Sequence, residues 1–237
     1  MKALKRIMWI VAFLPFAITA FIVPGLPDTI PTHYNSSWKV DGYGSKYVSY
    51  LLPAVIIGFT LAFALMIRSK EKQAETADNE KEKNANIANA KVLAITTIVV
   101  TAGFAAMQCA FLYAASKDIS GEVVGSSIIS KITYISVAIL LIVAGNYMPR
   151  TKRNGMIGLR CSWSMYNDIT WERSNRFAGK VLVIAGILIL IITLLVGQVA
   201  GAISLFVLLG GAVAISLVYA KRVYTEQKAL NDSRKEG

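Results

Sequence analysis

The sequence predicts an all-α fold: a polytopic integral membrane protein with six transmembrane helices and both termini cytoplasmic. Composition is the first observation. Of 237 residues, 55% are hydrophobic and 16% charged, whereas a soluble domain carries roughly 25% charged residues. The second is blocking: the apolar residues gather into runs of roughly 20, the length that crosses a hydrocarbon core. The third is charge asymmetry. With the N-terminus inside, the cytoplasmic segments hold 21 of the 25 Lys/Arg, and the outer segments hold Lys39, Lys46, Lys117 and Lys131. A Lys/Arg bias of this size sets orientation during insertion. The net charge of +11 then reads as a basic cytoplasmic face against anionic membrane lipids, with no direct nucleic-acid contact.

Taken in order, residues 1–67 form a first unit of two spans and an extracellular loop. Lys2, Lys5 and Arg6 precede the apolar run Ile7 to Val23. That run is longer than a signal-peptide core and lacks a small-x-small cleavage pattern, so it is expected to be a retained span. The loop 24–47 holds three prolines and three glycines, which forbid a continuous helix. A short hairpin is expected around the turn pair Asp41-Gly42. Tyr47 to Ile67 form the second span, with a kink expected at Pro53.

Residues 68–91 mix six Lys/Arg with five acids and predict a solvated, charged cytoplasmic linker without an apolar face. Residues 92–220 form a second unit of four spans: Val92 to Ala115, Ile128 to Tyr147, Val181 to Val196 and Ala202 to Ala220. Lys131 lies near enough to a span end to snorkel. A basic cytoplasmic loop, 145–180, divides this unit. Residues 221–237 read as a polar, frayed cytoplasmic tail.

Motifs for chemistry are missing. There is no GxSxG, no GxxxxGK[ST] and no Cys-x-x-Cys, which points away from an enzyme and implies no cofactor. His33 is the single histidine, too few for an HExxH or another His-based metal site. Cys109 and Cys161 lie in different segments, so no disulfide is expected. No span carries an acid, and an ion-coupled transporter usually keeps an ionisable group there.

The two irregular loops carry the pattern. The outer one reads Leu26-Pro27-Asp28-Thr29-Ile30-Pro31-Thr32-His33-Tyr34-Asn35, then Asp41-Gly42-Tyr43-Gly44-Ser45-Lys46. The inner one reads Gly145-Asn146, then Asn154, Gly158-Leu159-Arg160, Trp163 and Trp171. The first resembles the DUF1648 family, with an LP-x-x-IP-x-H-x-N pattern followed by G and K. The second resembles the SdpI family signature. The order of the two and the six spans are also those of SdpI-like proteins. Cys161-Ser162 stands where the family has Thr-Pro, and Ser36-Ser37-Trp38 where a glycine is usual.

The resemblance implies a bacterial cell-membrane immunity protein that protects against a secreted, extracellular toxic peptide. It also implies a receptor role, holding a cytoplasmic transcriptional repressor at the membrane. A transporter of a small amphiphile and a non-catalytic partner-binding subunit remain the alternatives. Within the outer loop, Pro27, Pro31, His33, Asn35, Asp41 and Lys46 are the candidate peptide contacts. His33 and Asn35 could equally serve to close a proline-rich turn. On the inner side, Gly145, Asn146, Asn154, Gly158, Arg160, Trp163 and Trp171 form the cytoplasmic signature. Asn146, Asn154 and Arg160 are expected to share a polar network, or Arg160 to meet lipid phosphate. Trp163 and Trp171 are expected to anchor in the interfacial belt. Asn167 is expected to cap a short helix from Asp168 towards Arg176.

Overall fold

The structure is a computed structural model that describes residues 1–35, 40–117, 124–155 and 158–236. The sequence positions Ser36, Ser37, Trp38 and Lys39, and Asp118 and Glu122 of the short outer loop, lie outside the described residues.

Six helices are long and apolar enough to cross a membrane. They are α1 (Lys2–Ile22), α2 (Leu51–Glu75), α3 (Glu80–Lys117), α4 (Val124–Tyr147), α5 (Asp168–Leu195) and α6 (Gln198–Glu236). Strands β1 (Thr29–Tyr34) and β2 (Val40–Ser45) form one antiparallel hairpin between α1 and α2. Helices α1, α2 and α3 pack together, α4, α5 and α6 pack together, and α3 against α4 joins the two groups. Large apolar side chains such as Phe21, Leu65, Leu195, Phe206 and Val218 point outward, the arrangement expected where the solvent is lipid.

Several helices outrun the bilayer. At 1.5 Å per residue, the 38 residues of α3 span roughly 57 Å, against a hydrocarbon core of about 30 Å. The extra length lies at one end. Residues 68–91 are not a solvated linker throughout: α2 continues to Glu75, and α3 restarts at Glu80. The Asn79 carboxamide caps this start by accepting from Glu82 N at 2.9 Å, and Glu80 and Glu82 in the first turn complement the helix dipole. Asn86, Asn89 and Ala90 are buried, so this charged stretch does have a packing face. Likewise α5 begins at Asp168 rather than near Val181, and the tail is a continuous extension of α6.

The N-terminus shares that end: Lys5 Nζ meets Glu71 Oε2 at 2.8 Å. The hairpin lies at the other end. Ile30 is buried with Val23, Leu26, Leu112 and Ala115, which fixes the hairpin on the far ends of α1 and α3. Asp41 and Gly42 lie inside β2, with Gly42 opposite His33, so they are not the turn. Pro53 falls in the first turn of α2 behind a 3-10 turn at Lys46–Tyr50. A proline is tolerated in the first turn of a helix.

One polar node sits among the spans on the hairpin side. Gln108 is 1% exposed, and its Nε2 donates to Thr19 Oγ1 and to the Ser49 carbonyl, both at 2.9 Å. It therefore ties α1, α3 and the entry to α2. Gln108→Leu keeps the volume but removes both donors and strands a carbonyl. The expected loss is about 1–2 kcal/mol, read as a lower melting temperature in detergent; an unchanged melt would show the node carries no stability.

Candidate functional site

The signature loop is built from the start of α5 backwards. Asn167 and Thr170 form a capping box: Thr170 N donates to Asn167 Oδ1 at 2.8 Å, and Asn167 N donates to Thr170 Oγ1 at 2.9 Å. Such a pair satisfies two helix amides that have no other partner. The cap was legible in the sequence, but the helix it starts is the full α5 rather than a short one. The Thr170 hydroxyl also donates to the Ser164 carbonyl at 3.1 Å. Ser164, fully buried, donates its hydroxyl proton to the Leu159 carbonyl at 2.5 Å and accepts from Cys161 N at 3.1 Å. Residues 159–170 are thus one tight knot.

Trp171 is the pin of this knot. It is 2% exposed, and its Nε1 donates to the Thr151 carbonyl at 2.9 Å. The expected place in a lipid belt is overturned for Trp171: its ring is enclosed by protein, and its one donor is spent on the loop backbone. Gly158 lies directly on it. With φ of +113°, Gly158 occupies backbone space that L-residues avoid, and a Cβ there would lie 2.9 Å from the indole and 2.5 Å from Asn175 Oδ1. Asn175 completes the joint. It is 1% exposed, accepts from Leu159 N at 2.7 Å and donates to the Trp171 carbonyl at 3.0 Å.

Gly145 has a packing role. It faces Gly179 where α4 crosses α5; a Cβ on Gly145 would fall 2.5 Å from the Gly179 carbonyl. Only glycine allows this approach. The expected network of Asn146, Asn154 and Arg160 does not form. Asn146 and Arg160 are exposed, and Asn154 is buried and donates to the Lys152 carbonyl at 2.6 Å. Asn89 of α3 accepts from Lys152 N at 3.3 Å and carries the link to the first helical group. Arg153 stands over the loop, donating to the Met165 and Tyr166 carbonyls at 3.2 and 3.3 Å and pairing with Asp168 at 3.3 Å. Trp163 is half-buried, with Lys221 Nζ 5.7 Å above its ring, a cation–π contact.

Beside the knot lies a cavity of about 480 Å³ between the α2–α3 elbow and the loop. Lys81, Lys152 and Arg153 line it together with Glu82, Asp168 and Glu172. Arg160, in the same loop, is exposed and has no hydrogen bond or ion pair among the described residues.

The outer candidates split into builders and exposed groups. Lys46 closes the hairpin: its Nζ lies 3.1 Å from both the Leu26 carbonyl and Asp28 Oδ1, and its side chain is only 13% exposed. Pro31 is buried and Pro27 half-buried. His33 and Asp41 face solvent across the hairpin, with Nδ1–H donating to Asp41 Oδ1 at 2.5 Å. Asn35 is half-buried. Tyr43 and Tyr47 stand exposed beside them. Among the described residues, no three potential ligands converge on a metal position.

Sequence reasoning missed Asn175, Ser164, Thr170 and Asn89. The available signal was polar residues of low helix propensity, Ser174-Asn175 and Asn86/Asn89, set within helical stretches.

Comparison with known proteins places these two ends. Residues 150–220 match the SdpI/YfhL protein family, and residues 10–57 match the domain of unknown function DUF1648. The chain is 26% identical to the immunity protein SdpI of Bacillus subtilis (strain 168) over 225 residues, covering 95% of this chain and 96% of that protein. No solved structure matches it. The Gly158–Trp171 knot lies inside one matched segment and the hairpin inside the other, so the chain is similar to the SdpI/YfhL family at the first and to DUF1648 at the second; with six spans around them, it is a multi-pass membrane protein.

Proposed function

We propose that this protein is a non-catalytic membrane immunity protein that protects a bacterial cell from a secreted killing peptide. The observation that carries the reading is similarity to an immunity protein along 95% of the chain, so that both loops and all six spans share in it. The hairpin end faces outward, supported by the Lys/Arg excess at the other end. Its exposed His33–Asp41 pair, with Asn35 and the tyrosines Tyr43 and Tyr47, offers a peptide both hydrogen-bonding and apolar contact. Pro27, Pro31 and Lys46 hold that surface in shape.

The test is survival. A sensitive Bacillus strain expressing the chain is challenged with a panel of secreted killing peptides, and growth is expected against at least one. His33→Ala and Asn35→Ala are each expected to lower protection about fivefold at unchanged membrane abundance, the worth of one hydrogen bond to the ligand. Sensitivity to the whole panel would remove the immunity reading. Protection that disappears when the proton gradient is collapsed, at constant protein level, would favour a transporter.

A cytoplasmic partner, a transcriptional repressor in the reading above, has a surface at the opposite end. The mixed-charge cavity and exposed Arg160 support it there. Transmission between the ends requires the peptide to prefer one of two conformations.

A further inference from the structure

The seam between α3 and α4 is incompletely filled. α3 presents Ala102, Gly103 and Ala106 to it, and α4 presents Ile132, Ser136 and Ile139. The two helices come close at Gly103, where a Cβ would lie 3.1 Å from Ser136 Cβ. Beside that contact the small side chains of α3 leave a trough of about 350 Å³, within the roughly 300–1,000 Å³ of ligand clefts. Ala102, Ala106 and Ile139 are exposed along it, so it opens sideways. It lies in the middle of two candidate spans, Glu80–Lys117 and Ile128–Arg150, so it opens onto hydrocarbon.

A cation flanks this trough. Lys131 precedes Ile135 by four residues and Ile139 by eight, which puts it along the edge of the same helix face, nearer the hairpin end. Its side chain is exposed, and no described residue pairs with it. A charge inside a span is costly unless it reaches a counter-charge at the membrane surface. A lipid phosphate meets that need, and a net anionic head group meets it best because it carries no cation of its own to compete.

We infer that the α3–α4 trough and Lys131 form a site for one anionic diacyl phospholipid of the hairpin-side leaflet. One acyl chain lies over Ala102 and Ala106 against the isoleucines, and the phosphate meets the Lys131 ammonium. The site stands whether or not the chain confers immunity.

Native mass spectrometry of the full chain in mild detergent tests it, titrating dioleoyl-phosphatidylglycerol against dioleoyl-phosphatidylcholine. The first lipid bound is expected to be phosphatidylglycerol, by about fivefold, the discrimination that one basic residue near a membrane surface supplies. Lys131→Gln removes the preference while chain binding persists, and Lys131→Arg keeps it. Ala106→Leu, which fills the trough, weakens both lipids alike; matched circular dichroism spectra confirm that each variant is folded. Equal binding of the two lipids by the parent chain, or a preference that survives Lys131→Gln, overturns the proposal. So does a killing peptide whose own binding falls with Ala106→Leu while phosphatidylglycerol binding does not.

Discussion

Gly158→Ala is expected to unravel the signature loop and abolish any function that depends on it. The added methyl meets Asn175 Oδ1 and the Trp171 ring on a backbone with φ of +113°. Backbone strain costs about 1–3 kcal/mol, and overpacking adds about 1–3 kcal/mol. Relief requires Leu159 N to leave Asn175, which strands a buried carboxamide. Gly155→Ala is the control, because nothing lies within 4 Å of a Cβ there. Limited proteolysis of membrane vesicles should cut the Gly158→Ala loop rapidly and spare the Gly155→Ala loop. Equal resistance in the two variants would mean that the knot tolerates a side chain, and that its geometry does not depend on glycine.

Trp171→Ala is the second large effect, at about 3–5 kcal/mol for emptying a buried indole site. It also leaves the Thr151 carbonyl without its donor. Trp163→Ala, at a half-buried ring beside Lys221, is expected to cost about 1 kcal/mol or less. The contrast separates two accounts. Interfacial anchors would respond alike and would depend on bilayer thickness; a packing pin and a surface ring respond very differently, even in detergent. Trp171→Phe refines this by keeping most of the ring and removing one hydrogen bond, for about 1–2 kcal/mol. Comparable melting temperatures for Trp171→Ala and Trp163→Ala would defeat the assignment of Trp171 as the pin.

The spans were legible because hydrocarbon imposes one simple demand, a long apolar helix with its backbone bonded internally. The helical extensions were not. Glu172, Arg173 and Arg176 look like loop residues, yet they decorate the aqueous turns of α5 and pair with Glu226 and with each other. The packing face on 68–91 was hidden because it is made by Asn86, Asn89 and Ala90 rather than by large apolar groups. The hairpin was expected, but its turn was misplaced: Asp41-Gly42 has turn chemistry, and the pairing register instead sets Gly42 against His33 to make room for that side chain. In the signature loop, the cap at Asn167 and the need for Gly158 are local and could be read. The burial of Trp171 and the role of Asn175 depend on how the loop folds back over α5, which no local pattern records.

The direction in which the knot is tied has a consequence for how the chain is made. Thr151, Leu159 and Ser164 find their partners at Thr170, Trp171 and Asn175, all further along the chain. Synthesis proceeds from the N-terminus, and segments fold as they emerge. The fourth hydrophobic stretch therefore leaves the ribosome before these later partners exist, with only the Asn89–Lys152 bond, among the described residues, available to hold the segment behind it. Until the next helix arrives, this part of the newborn protein is an open strand at the membrane surface, within reach of chaperones and proteases.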